Sequence, residues 1–309
     1  MSGGTVPDVP VFPHHPCTDI GGSDGVRKEY VHLSRAEAVL VTGWHRREDG
    51  EFSLTADWPA PDGGLPYDPR MLTQAIRQSG LLIAHAAYGV PLSHHTLLHS
   101  FDFTVAPGFR VASTGPSPLT VGISLAEPKK RGRAVSSLGM DIRLYQEESL
   151  VARADCDFGW ISPGAYRRLR GEHLTTGWNT WAVPAPADPR TVRRATGTDV
   201  VLAPGDRPHH WLLRNDVDNV LLFDHPVDHV PGLVLIEAAH QAANAVLHPA
   251  LFEATTVDTS FERYVEFDSP CWIEAEVAPS PGPGLATVLV TGTQDGGTVF
   301  RGRLSGPCG

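Results

Sequence analysis

The chain has 309 residues, enough for two domains that each bury a core. A formal charge of -10 and a pI near 5.8 argue against general affinity for nucleic acid or acidic membranes, while leaving room for a local Arg cluster that holds one phosphate. Cys17, Cys156, Cys271 and Cys308 are scattered and form no CxxC pair, so neither a disulfide framework nor a zinc ribbon is indicated.

Residues 1–27 are rich in Gly, Pro, Ser and Asp without periodicity and read as a disordered tail. The tail lacks the basic and apolar regions of a signal peptide, so the cytoplasm is the expected compartment. An N-terminal repeat is expected over 28–160. In it YVHLSRAEAVLVTGWHR and EFSLTADWP read as strands, SRAEAVL also fitting a short helix, and PDGGLPYDP reads as a loop. A central helix over 71–88 follows, then strands at LLHSFDFTV, LTVGISLAEP and 135–161. Residues 161–189 end in a Pro/Ala composition typical of a linker, with YRRLRG fitting one helical turn. A C-terminal repeat is expected over 190–309, with strands at TGTDVVLAP and HHWLLRND, a central helix over 231–247, and further strands to about residue 305. PSPGPG and TQDGG are its hairpin turns.

The richest stretch is DHPVDHVPGLVLIEAAHQAAN, 224–244, where a turn packed with Asp and His runs into an apolar helix. Glu237, His240, Gln241 and Asn244 fall at i, i+3, i+4 and i+7, which at about 100° per residue places them on one face. A carboxylate on so apolar a helix is costly unless paired or used. Sliding the chain by 163 positions sets Gln74, Arg77 and Gln78 against Glu237, His240 and Gln241, so the same polar stripe occurs twice. The expected fold is α+β: two copies of one unit, each a curved antiparallel sheet around a long helix.

PGLVLIEAAHQ resembles a segment of the 3-hydroxyacyl carrier-protein dehydratases, which are hotdog enzymes; there a Glu and an upstream His do the acid–base chemistry, matching Glu237 and His225. VHLSRAEAVLVTGW, IRQSGLLIAHAAYGVPL, FDHPVDHVPGLVLIEAAHQAA and RYVEFDSPCW together carry a closer resemblance, to the A-factor or gamma-butyrolactone biosynthesis family of actinobacteria, which are tandem hotdog proteins. That resemblance implies transfer of a 3-oxoacyl group from an acyl-carrier-protein thioester to the hydroxyl of dihydroxyacetone phosphate, giving the ester that becomes a butenolide signal. It implies no metal or organic cofactor, and it is compatible with a homodimer. Gln74 stands where the family's first helix usually has Glu, and His240 where its second has Arg.

On this reading Glu237 is the expected base, a buried carboxylate with a raised pKa, and His225 and His240 are the other catalytic candidates. Gln74, Arg77, Gln78, Gln241 and Arg263 are the expected substrate contacts, the arginines because a guanidinium presents paired donors to phosphate. Gly232, at a helix start, would offer amides to a thioester oxygen. Asp224, His225, Asp228 and His229 could also be read as metal ligands, but two prolines and a glycine interrupt the helical spacing. The histidine pairs at 14–15, 94–95 and 209–210, and Cys271, read as structural or surface residues. A hydro-lyase using Glu237 and His225, and a non-catalytic acyl-binding protein, are the alternatives. GxSxG and GxxxxGK[ST] are both absent, so no nucleophile elbow or phosphate loop is indicated.

Overall fold

The computed structural model describes residues 26–61, 65–132, 134–280 and 282–309. Most of the expected tail, with His14, His15 and Cys17, lies outside the described residues. The described chain opens with two 3-10 turns, Lys28–Val31 and Ala36–Ala38, rather than a strand. Here buried Val31 is followed by His32 at a left-handed φ of 53°, which breaks an extended run. Strand β1 (Val41–Arg46) begins eleven residues beyond the expected start at Tyr30 and pairs with β2 (Phe52–Trp58).

Helix α1 (Pro69–Ala86) starts where Asp68 accepts a hydrogen bond from the Arg70 amide at 2.9 Å and Pro69 occupies the first turn. Its apolar side buries Leu72, Ile76, Leu82 and Ile83 completely. Each such side chain contributes about 1.5–3 kcal/mol on leaving water. Gly80 lets the helix lie close on the sheet, since a Cβ there would sit 2.8 Å from the Phe158 ring. Strands β3 (His95–Val105), β4 (Ser117–Leu125), β5 (Lys129–Arg131), β6 (Ala134–Gln146) and β7 (Ser149–Ile161) complete the first half.

The stretch expected as a linker holds a two-turn helix, α2 (Pro163–Arg170), again opened by a capping side chain, Ser162, and a following proline. The second half consists of β8 (Leu202–Pro204), β9 (His210–Leu213), α3 (Gly232–Leu247), β10 (Thr256–Phe261), β11 (Cys271–Val277), β12 (Leu285–Gln294) and β13 (Gly297–Pro307). β8 is three residues long, shorter than TGTDVVLAP suggests, because residues 194–200 are spent on turns that cover α3.

All the strands join one antiparallel sheet in the order β1-β2-β4-β6-β7-β3-β10-β13-β12-β11-β9-β8, with β5 paired to β6. Read from either end the order is the same, each half running from its first strand pair to the strand that follows its helix. β3 and β10 meet at the centre through Thr104 opposite Thr256 and Ser100 opposite Ser260. That seam is reinforced where the Thr259 amide donates to Asp102 at 2.7 Å and the Thr259 hydroxyl to the Phe101 carbonyl at 2.8 Å. Both long helices lie against the sheet, and α1 and α3 touch each other.

Candidate active site

A cavity of about 1090 Å³ opens where the start of α3, the polar side of α1, β3 and α2 converge. The 224–232 turn forms one wall and is held from two directions. On one side Asp224 accepts from the Ser34 amide and from Arg35 Nε at 3.2 Å, while the Ser34 hydroxyl donates to the Asp224 carbonyl at 2.8 Å. Burial opposes ionisation there, but the bonds from Ser34, His225 and Arg35 hold the Asp224 carboxyl below its usual range. On the other side Asp228 accepts from the Tyr166 hydroxyl at 2.7 and 2.9 Å and from Arg170 Nε at 3.0 Å. Arg170 also forks onto both oxygens of Glu266, each at 2.7 Å.

Of the residues expected from the sequence, His225, Gln74, Arg77, Gly232 and Arg263 all line this cavity. Gln74 donates to the Leu221 carbonyl at 2.8 Å, and its buried Oε1 has no partner among the described residues. Arg77 donates to the Val31 carbonyl at 3.2 Å. Burial draws its guanidinium down to about 10, against the pull of Asp224, so it remains a cation at neutral pH. Next to it His32 is pushed down to about 3 by burial and by the Arg77 charge, and its buried Nε2 has no partner among the described residues. Arg263 is exposed at the rim, with one bond to the Gln294 carbonyl at 3.2 Å. α3 begins without a capping side chain, and Gly232 and Leu233, in its first turn, face the cavity. A Cβ on Gly232 would lie 3.1 Å from the Phe261 ring and 3.3 Å from Leu98, so the glycine permits close packing of the helix start.

The rest of the expected site lies elsewhere. Glu237, expected as the base, is 2% exposed and grips Arg194 through two bonds, Nε to Oε1 at 2.6 Å and Nη2 to Oε2 at 2.7 Å. Gln241 Nε2 adds a third at 2.5 Å. A carboxylate occupied by three bonds and absent from the cavity lining is not placed to act as a base there, so that expectation is corrected. His240, expected to hold the acceptor, stacks on Phe103 with ring centres 6.2 Å apart, away from the cavity. Burial pushes its imidazole down to about 4, which leaves it neutral and unable to replace an Arg as a phosphate clamp. Gln78 and Gln241, expected as substrate contacts, do not line the cavity either. Gln78 accepts from the Leu40 amide at 2.7 Å and donates to the Ala38 carbonyl at 3.0 Å, and Gln241 accepts from the Val201 amide at 2.9 Å and donates to the Asp199 carbonyl at 2.7 Å.

The sequence reading missed Tyr166, Tyr264, His32 and His95 at the cavity, Arg170 buried behind its wall, and Arg194 under α3. His95, read as a structural or surface residue, stacks on Tyr166 at 3.6 Å between ring centres. Tyr166 and Arg170 stand at i, i+4, a spacing that puts both on one face of a short helix and was a usable signal. Among the described residues no group of three or more His, Cys, Asp or Glu side chains is arranged to hold a metal ion.

Two half-sheets, each wrapped on a long helix and joined edge to edge with a cavity at the helix ends, define a tandem hotdog protein. The model of the AfsA A-factor biosynthesis hotdog domain matches residues 22–162 and again 179–308, and the chain belongs to that family. Relatives include a 2-oxo-3-(phosphooxy)propyl 3-oxoalkanoate synthase of Streptomyces virginiae, 39% identical over 89% of this chain and 95% of that protein. Proteins of the same name from Streptomyces coelicolor and Streptomyces griseus are 38% and 37% identical, each over 90% of this chain and over 90% and 94% of their own lengths. No helix among the described residues is long and apolar enough to cross a membrane.

Proposed function

We propose that the protein is an acyltransferase that moves a 3-oxoacyl group from an acyl-carrier-protein thioester to the hydroxyl of dihydroxyacetone phosphate. The observation that carries this is the identity, over about nine-tenths of both chains, with synthases whose name describes such an ester. The cavity supports it with the parts the reaction needs. Arg77 supplies a half-buried positive charge for the phosphate, with Gln74 Oε1 and His32 Nε2, unpartnered among the described residues, nearby and Arg263 at the rim. The first-turn amides of α3 at Gly232 and Leu233 polarise the thioester carbonyl and hold the oxygen as it gains charge. An imidazole of the 224–229 turn accepts the hydroxyl proton, the acceptor oxygen attacks the carbonyl carbon, and the thiol leaves with a proton.

Direct attack by the acceptor fits better than an acyl-enzyme. Burial raises the Cys271 thiol to about 12 and the Cys156 thiol well above its usual value, and neither lines the cavity. The hydro-lyase alternative requires Glu237 beside the substrate, where Arg194 does not leave it. Incubation with a 3-oxooctanoyl carrier protein and dihydroxyacetone phosphate, followed by mass spectrometry, should yield the phosphorylated ester together with free carrier thiol. Thioester that persists without ester, or that loses its acyl group only to water, would refute the transferase.

A further inference from the structure

The turn that forms the cavity wall contains two Asp–His pairs four residues apart, Asp224–His225 and Asp228–His229, and both histidines line the cavity. We propose that His229, oriented by Asp228 and Tyr166, is the general base of the acyl transfer, in place of His225, the residue the dehydratase resemblance selects. The proposal rests on the acyltransferase reading above.

A general base has to present a free ring nitrogen at a fixed angle, with its other nitrogen committed to a group that stays negative as the imidazolium forms. Both carboxylates are held below their usual range, and the two pairs differ in how firmly the imidazole is held. His225 Nδ1 lies 3.2 Å from Asp224 Oδ2, the same oxygen that receives the Ser34 amide, and the imidazole is 40% exposed. His229 Nδ1 lies 2.8 Å from Asp228 Oδ1, and its ring meets Tyr264 edge-on with centres 4.6 Å apart. Asp228 is itself pinned by Tyr166 and Arg170. Arg170 lies over the Tyr264 ring at 4.3 Å, and Tyr166 is stacked on His95. Burial opposes it, yet the bonds from His229, Tyr166 and Arg170 hold the Asp228 carboxyl well below its usual range. Asp228 therefore accepts the Nδ1 proton without taking it. That fixes the tautomer with the proton on Nδ1 and leaves Nε2 as the acceptor, with no protein partner among the described residues.

The step balances without a co-reactant. His229 Nε2 takes the hydroxyl proton as the acceptor oxygen bonds to the thioester carbon. The oxyanion at the start of α3 then collapses, the C–S bond breaks, and His229 returns the proton to the departing sulfur. Asp228 and Tyr166 are positioning residues: they act through the imidazole they fix and exchange no proton with the substrates.

The test uses the full chain with 3-oxooctanoyl carrier protein and dihydroxyacetone phosphate. His229→Gln should lower kcat by about a hundredfold or more, the usual scale for losing a general base, with KM for the acceptor changed by less than about threefold. His225→Gln should lower kcat by less than about tenfold. His229→Gly should recover at least tenfold when imidazole is added to the assay, a response that loss of a merely structural residue does not give. Asp228→Asn should lower kcat more than it raises either KM, because it releases the tautomer. A folded His229→Gln protein with near wild-type kcat, a hundredfold loss confined to His225→Gln, or failure of imidazole to restore a folded His229→Gly protein would each overturn the assignment. Absence of ester with the wild-type protein would instead remove the acyltransferase reading itself.

Discussion

Gln78 of α1 and Gln241 of α3 do one job twice, each bonding the backbone just ahead of its own half's first strand, yet one turn earlier along the helices the symmetry ends. On α1, Gln74 and Arg77 face the cavity with unspent polar capacity. On α3, the equivalent Glu237 and His240 are closed off, the first by Arg194 and the second against Phe103. The cause is what covers each helix. Residues 28–39 leave the α1 stripe open to the cavity, whereas the turns at 190–200 reach over α3 and insert a guanidinium. A repeated sequence pattern thus supplies the same face twice, and the covering segment decides whether that face does chemistry or holds the fold together.

The largest effect that can test this contrast is on stability. Glu237→Ala leaves Arg194 as an uncompensated buried charge and should cost about 3–5 kcal/mol in denaturant unfolding. Whatever fraction stays folded should keep its turnover per folded molecule within a few-fold. A stable Glu237→Ala protein with abolished turnover would move the chemistry back to α3.

Next comes the response to acid. His240 stays neutral in the folded chain down to about pH 4, while in the unfolded chain it takes up a proton near its ordinary value of 6.5. Between those values the unfolded state binds more protons, so stability is complete above about pH 6.5 and falls as the pH drops to 4. This one group accounts for a loss on the order of 3 kcal/mol. His32 and His85, both lowered chiefly by burial, act in the same direction. His240→Phe should flatten the dependence of Tm on pH between 6.5 and 4, and an unchanged slope would mean that this imidazole is not held neutral.

The smallest expected effect is on α1. Arg77→Ala should raise KM for dihydroxyacetone phosphate by about ten- to a hundredfold, the value of a hydrogen bond to a charged group, and should barely change Tm. Dihydroxyacetone without its phosphate should be affected much less. An equal loss for both acceptors would take the phosphate away from Arg77.

Both long helices, the duplication and the hairpin turns at 280 and 293 were legible because helical and strand periods register directly in apolar spacing. Half of the candidate cavity lining was legible for a different reason: His225, Gly232, Arg77 and Arg263 sit in segments distinctive enough to carry a family resemblance, Gln74 is set by the repeated stripe, and all five line the cavity. Glu237 and His240 went wrong because a period reveals which side chains share a face and is silent about what lies over it. Arg194 is 43 residues from Glu237, in a stretch without periodicity, so nothing in the helix announces its partner. The Pro/Ala ending of 161–189 left α2 as a single turn at YRRLRG for a similar reason. Composition described the segment's flexibility, while the cap at Ser162 and the Tyr166–Arg170 spacing defined its structure.

The β3–β10 seam also bears on how such a site can arise. A hotdog pair assembled from two identical chains would carry every substitution twice, once in each helix, so a residue suited to the cavity would also be forced into the sealed position. Joining the halves in one polypeptide, across a continuous sheet, removes that coupling. Glutamate and arginine can then be placed where each is wanted without either appearing in its twin, and an inherited asymmetry takes over what a symmetric dimer could achieve only by accident of binding.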